Sequence, residues 1–171
     1  MWIGLIVAAA CWGTSAPEYQ VKAVFLFNFA QFVEWPSGTF QAPDAPFVIG
    51  VLGQDPFGAQ LDEVARGETV GQRPLAIRRY RSIGELQDCN ILYIGREEIP
   101  ALPQVLAALN GRSILTVSDA GDADQRGVMI QLVTDHNHIR LRIDLEAARA
   151  RNLTISSKLL RPAEIVGGPG H

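Results

Sequence analysis

The stretch FVIGVLGQDPFG, residues 47–58, decides the fold. Phe47 to Leu52 is a continuous apolar run without a charge, which reads as a strand buried on both faces. Gly53 follows it, and Asp55-Pro56 opens a helix to about Arg66, with proline in the first turn, where no backbone bond is lost. A strand covered on both faces belongs to a parallel sheet with helices on either side. Downstream the unit repeats: LAIRRY (75–80), CNILYI (89–94) and Ser113 to Val117 read as strands. A short helix from Ser82 to Gln87 and a longer one from Ile99 to Leu109 separate them. This alternation predicts an α/β fold with a mostly parallel sheet. Val128 to Val133 and Ile139 to Ile143 flank Asp135-His136-Asn137-His138, which predicts a C-terminal antiparallel hairpin. Upstream, EYQVKAVFLFNFAQFVEW (18–35) reads as a helix stopped by Pro36-Ser37-Gly38. Its spacing places Val21, Phe25, Asn28, Phe29 and Phe32 on the buried stripe, and Gln20, Lys22, Gln31 and Glu34 on the polar side.

The 171 residues are 47% hydrophobic and 19% charged, with a net charge of −3. That excludes a generally disordered chain and argues against nucleic-acid backbone as the main partner. Two cysteines are too few for a disulfide scaffold or a cysteine-based zinc site. Residues 1–16 carry no charge, and twelve of the sixteen are hydrophobic. They read as a signal peptide with Thr14-Ser15-Ala16 as the cleavage site, leaving residues 17–171 as one domain. Lipid attachment at Cys11 and an uncleaved anchor are the competing readings. Fifteen helical residues reach only about 22 Å, short of a hydrocarbon core of about 30 Å. The expected location is the periplasm.

Catalysis has little to stand on. There is no G-x-S-x-G, no P-loop and no S-x-x-K, and the histidines fall only in the hairpin turn and at the C-terminus. The chain is therefore expected not to be an enzyme, and to need neither cofactor nor metal. Gly53, Asp55, Ser118 and Asp119 fall at the carboxyl edge of the expected sheet, where open α/β sheets bind ligands, and form a candidate small-ligand site. Arg73, Arg78, Arg79 and Arg81 read either as an edge strand guarded by charge or as a patch for an anionic partner. Cys89 opens a buried strand, where a thiol behaves as a small hydrophobe.

Residues 18–36 (EYQVKAVFLFNFAQFVEWP) and 153–166 (LTISSKLLRPAEIV) resemble the opening and closing signatures of the YfiR-like family of periplasmic proteins. Between them GVLGQDPFG (50–58), NILYIG (90–95) and TVSDAG (116–121) fit the same pattern in order. The resemblance implies a three-layer, Rossmann-like sandwich without catalysis. It implies a repressor that binds the periplasmic sensor domain of an inner-membrane diguanylate cyclase, whose release raises cyclic di-GMP and promotes biofilm. The two signatures supply the partner-binding candidates Asn28, Glu34, Trp35, Ser156, Ser157, Lys158, Leu159 and Leu160; a homodimer is a further option. The resemblance also implies redox control through internal disulfides, yet Cys89 is left unpaired in the mature chain. Pro162 sits where the family continues a helix, so either a helix restarts there or the closing segment bends. The alternative, from a different class, is a periplasmic small-ligand receptor.

Overall fold

The computed structural model describes residues 15–167, so all but the last two positions of the expected leader lie outside the described residues. Helix α1 (Ser15–Phe32) leads into a two-residue strand, β1 (Val33–Glu34). Strand β2 (Phe47–Leu52) is buried at every position. Helix α2 (Ala59–Ala65), strand β3 (Thr69–Val70) and strand β4 (Arg73–Tyr80) follow. Next come β5 (Ile91–Ile94), a 3-10 segment running into α3 (Leu102–Ala108), and β6 (Leu115–Ser118). The chain closes with β7 (Ile130–Asp135), β8 (His138–Asp144), α4 (Leu145–Ala150), β9 (Thr154–Ile155), α5 (Ser157–Leu160) and β10 (Glu164–Val166).

Eight strands form one sheet in the order β10-β8-β7-β6-β5-β2-β4-β3, parallel except at the β3–β4 and β7–β8 pairs. The mixed α/β architecture and mostly parallel sheet thus agree with the pattern of the sequence. Strand β4 lies on one side of β2 and β5 on the other, so the strand order reverses at β2. Alternation then sorts the core. Phe47, Ile49, Val51, Ile91 and Val117 pack with Leu26 and Phe29 of α1 and Leu61 of α2. Val48, Leu52, Leu92 and Ile94 pack with Leu102 and Val105 of α3.

Three local readings are corrected. The buried stripe of α1 is Lys22, Ala23, Leu26, Phe29 and Ala30, whereas Val21 and Val24 are exposed. The helix is apolar almost all round, so periodicity could not fix its rotation, and Lys22 turns inward because a distant carboxylate receives it. The helix also stops at Phe32, and Val33–Glu34 are extended because they pair with β9. Finally, the arginine-rich strand β4 is an outer edge only in part: β3 covers it at Arg73 and Pro74, the rest of that side is open, and its charges go to separate partners. Arg79 binds Asp55 at 2.6 Å and Asp62 at 2.7 Å, while Arg73 donates to the carbonyls of Ala42 and Ala45.

Pro162 follows the end of α5 and so breaks no helix. The chain turns there and adds β10 parallel to β8, an edge strand that its three residues do not announce.

Candidate functional site

Two places gather the residues of the sequence motifs. The first is the carboxyl edge of the sheet, where β6 ends in Ser118 and delivers Asp119 to the inner face of α1. Lys22 and Asp119 meet at 2.7 Å with both side chains fully buried. Each oxygen of Asp119 accepts more than one bond. Oδ2 takes Tyr19 Oη at 2.8 Å, Lys22 Nζ at 2.7 Å and an Arg96 terminal nitrogen at 3.2 Å. Oδ1 takes Tyr93 Oη at 2.8 Å and Arg96 Nε at 3.0 Å. Glu18, one turn before Lys22, shares the ammonium at 2.5 Å and also accepts from Thr134.

Burial alone would raise the pKa of Asp119, but hydrogen bonds from Arg96 and Lys22 outweigh it and hold the carboxyl well below the usual range. Tyr19 is pushed up to about 12, by burial first and then by its bond to Asp119. Asp119 thus stays ionised and Tyr19 protonated near neutrality, so the cluster serves to lock elements together. The motif stretches YQVK, NILYIG and TVSDAG therefore converge on one buried carboxylate.

The four ligand-site candidates all lie at this edge, and each is engaged by the chain itself. Ser118 Oγ donates to the Ile94 carbonyl at 2.8 Å and is fully buried. Asp55 Oδ1 accepts from the amides of Phe57 and Gly58, which delays the start of α2, and its other oxygen holds Arg79. Gly53, at φ 87°, has the left-handed backbone that favours glycine. Glu97 folds back over it and accepts from the Gln54 amide, which places a carboxylate where an open sheet would receive a phosphate.

The second place is a junction of the chain's two ends. β1 pairs antiparallel with β9, Val33 opposite Ile155 and Glu34 opposite Thr154, and the Ser156 amide donates to the Phe32 carbonyl at 2.9 Å. Ser156 caps α5 by accepting from the Lys158 amide. Lys158 Nζ lies 5.2 Å from the centre of the Phe32 ring. Glu34, Ser157 and Lys158 are exposed, and Asn28, Trp35, Ser156 and Leu160 are half-buried. The Trp35 ring meets Phe47 edge-on at 4.9 Å, and Leu159 points into the core. The signature residues are thus brought together, but Leu159 serves packing. Sequence reasoning missed Lys22, Tyr19 and Tyr93; the one available signal was that each sits inside a motif stretch.

Cys89 is a buried free thiol whose pKa is pushed up to about 12, chiefly by burial. Among the described residues no group of His, Cys, Asp and Glu could hold a metal ion, and no helix is long and apolar enough to cross a membrane. Cys89→Ser should lower the unfolding free energy by about 1–3 kcal/mol, through a polar group buried in an apolar site. Reductant should leave the urea midpoint of the wild type unchanged; a reductant-dependent shift abolished by the serine variant would overturn the reading of Cys89 as a packing residue.

No curated protein matches the chain. A family model described as YfiR/HmsC-like matches residues 19–164, from the tyrosine that binds Asp119 to the first residue of β10. The match takes in Tyr19, Lys22, Tyr93, Arg96 and Asp119 and all but the outermost residues of the two signatures, and the chain belongs to the YfiR/HmsC-like family.

Proposed function

We propose that the protein is an exported regulator that restrains an inner-membrane diguanylate cyclase by binding the cyclase's periplasmic sensor domain. The family match over residues 19–164 carries this reading, since it points to a periplasmic regulator of a cyclic di-GMP pathway. Residues 1–16 act as its signal peptide and are removed, and residues 17–171 work as one domain that binds and does not catalyse. The strand order, with α1 and α2 on one face of the sheet and α3 on the other, supports a three-layer, Rossmann-like sandwich ending in a hairpin. The contact surface is the junction of β1, β9 and α5, with Glu34, Ser157 and Lys158 outermost and Asn28, Trp35 and Ser156 beside them. Homodimerisation at a neighbouring surface is compatible with it.

The test is direct. The mature protein should bind the isolated periplasmic domain of an inner-membrane diguanylate cyclase from the same cell, as measured by titration calorimetry, and loss of the gene should raise cyclic di-GMP in the cell. Absence of binding, together with unchanged cyclic di-GMP, rejects the proposal.

A further inference from the structure

The carboxyl edge of the sheet is filled by the chain's own side chains, and the open space lies at the opposite edge. A cleft of about 530 Å³ is bounded by residues where β2, β5 and β6 begin and by the loop that follows Trp35. Its size suits a small organic ligand. Arg78 and Arg112 line it against a single acid, Asp88, so the lining carries a net positive charge. Arg112 already holds the Asp88 carboxylate at 2.8 Å and the Gln87 carbonyl at 3.0 Å. Arg78 makes a long contact, 3.4 Å, to the Asp88 carbonyl and faces the Tyr80 hydroxyl, which still leaves guanidinium donors unengaged among the described residues.

Two hydroxyls add to this. Thr39 Oγ1, in the wall of the cleft, is buried without a hydrogen-bond partner, and so is Tyr80 Oη. The Tyr80 side chain lies next to the cleft: its ring edge and Cys89 Sγ converge above Gly50, where an added Cβ would meet them at 2.8 and 3.4 Å. Only 5% of Tyr80 is exposed, and its hydroxyl faces the Arg78 guanidinium from behind the wall of the cleft. Buried hydroxyls are normally satisfied in folded proteins. Phe40, Pro36 and Pro46 supply an apolar wall. The arrangement combines spare guanidinium donors, unsatisfied hydroxyls and a ring-sized apolar surface.

From this we infer that the amino-edge cleft is a binding site for a small organic anion, a carboxylate or phosphate ester on an apolar ring. Its charge sits at Arg78 with Arg112 beside it, and its body lies against Phe40. The site is separate from the junction proposed to meet the cyclase and can be tested without that partner. The loop from Pro36 to Pro46 forms one wall of the cleft and follows β1 directly, so the occupant would contact the segment that leaves the junction.

The experiment is an NMR titration of the isotope-labelled mature protein with benzoate and with phenyl phosphate, using benzyl alcohol and benzylamine as neutral and cationic controls. Saturable shifts are expected at the amides of Thr39, Asn90 and Ser113 with at least one anion, and the tighter of the two identifies the head group. Arg78→Met should weaken that anion by about tenfold or more, while amide shifts outside the cleft report an intact fold. Thr39→Val, a milder change, should weaken it by a few-fold. No saturable shift up to about 20 mM, where even millimolar binding would register, overturns the inference. So do shifts located elsewhere, undiminished binding by Arg78→Met, or equal binding of benzylamine.

Discussion

Asp119→Ala should lower the unfolding free energy by about 3–5 kcal/mol, because it strands Lys22 in the core with its charge unmatched. Lys22 is fully buried, and its other carboxylate partner, Glu18, is partly solvent-exposed. Lys22→Met should be milder, since it removes the buried cation together with its desolvation demand and leaves Asp119 bonded to Arg96, Tyr19 and Tyr93. Adding Lys22→Met to Asp119→Ala should recover part of the loss, so the double variant falls short of the sum of the singles. Urea denaturation at neutral pH measures all three. An Asp119→Ala loss within about 1 kcal/mol, the scale of an exposed ion pair, would show that the buried network does not hold the edge.

The same carboxylate sets an acid limit. The folded pKa of Asp119 lies below its unfolded value of about 3.9, so its stabilising contribution is complete above that value. The contribution drains away as pH falls from there toward the depressed folded value. Glu18 is shifted in the same direction, chiefly by its bond to Lys22. The wild type should therefore lose stability steeply below about pH 4, and Asp119→Asn should flatten that slope while lowering the neutral plateau.

The other large effect concerns the junction. Reversing both exposed charges, Glu34→Lys with Lys158→Glu, should weaken binding to the cyclase's periplasmic domain by about tenfold or more and slow association in low salt. The urea midpoint should barely move, because neither head group is buried. Leu159→Ala gives the contrasting result. It removes a core side chain and should cost about 2–5 kcal/mol of stability, with affinity per folded molecule retained. If the charge-reversed variant binds like wild type, the contact lies on another face.

The longer strands were legible because each announces itself locally. Phe47–Leu52 is apolar without interruption and bounded by Pro46 and Gly53, as a strand buried on both faces is. The helical rotation of α1 was not legible, since an all-apolar surface offers no polar side to subtract. Lys22 looked like a solvent residue for a physical reason: its partner lies 97 positions away, and nothing near it in the chain reveals a carboxylate. The two-residue strands β1, β3 and β9 are too short to carry a pattern and exist through their partners. Among the site candidates, proximity of the two signatures could be guessed but not their β pairing. Gly53, Asp55, Ser118 and Asp119 follow the ends of apolar runs and so share one edge, while their engagement by Arg79, Glu97 and the α1 side chains depends on tertiary contacts.

The pairing of Val33 with Ile155 also has a temporal side. A ribosome or a translocation channel delivers the amino end first, so α1 emerges with its apolar surface and a lysine that has nowhere to go. Asp119 arrives about a hundred residues later, and β9 later still. Contacts of such sequence separation form slowly, and the waiting segment is open to proteases and to other chains. Helix α1 and the strand that follows it therefore cannot complete their pairing until Asp119 and β9 have both been delivered.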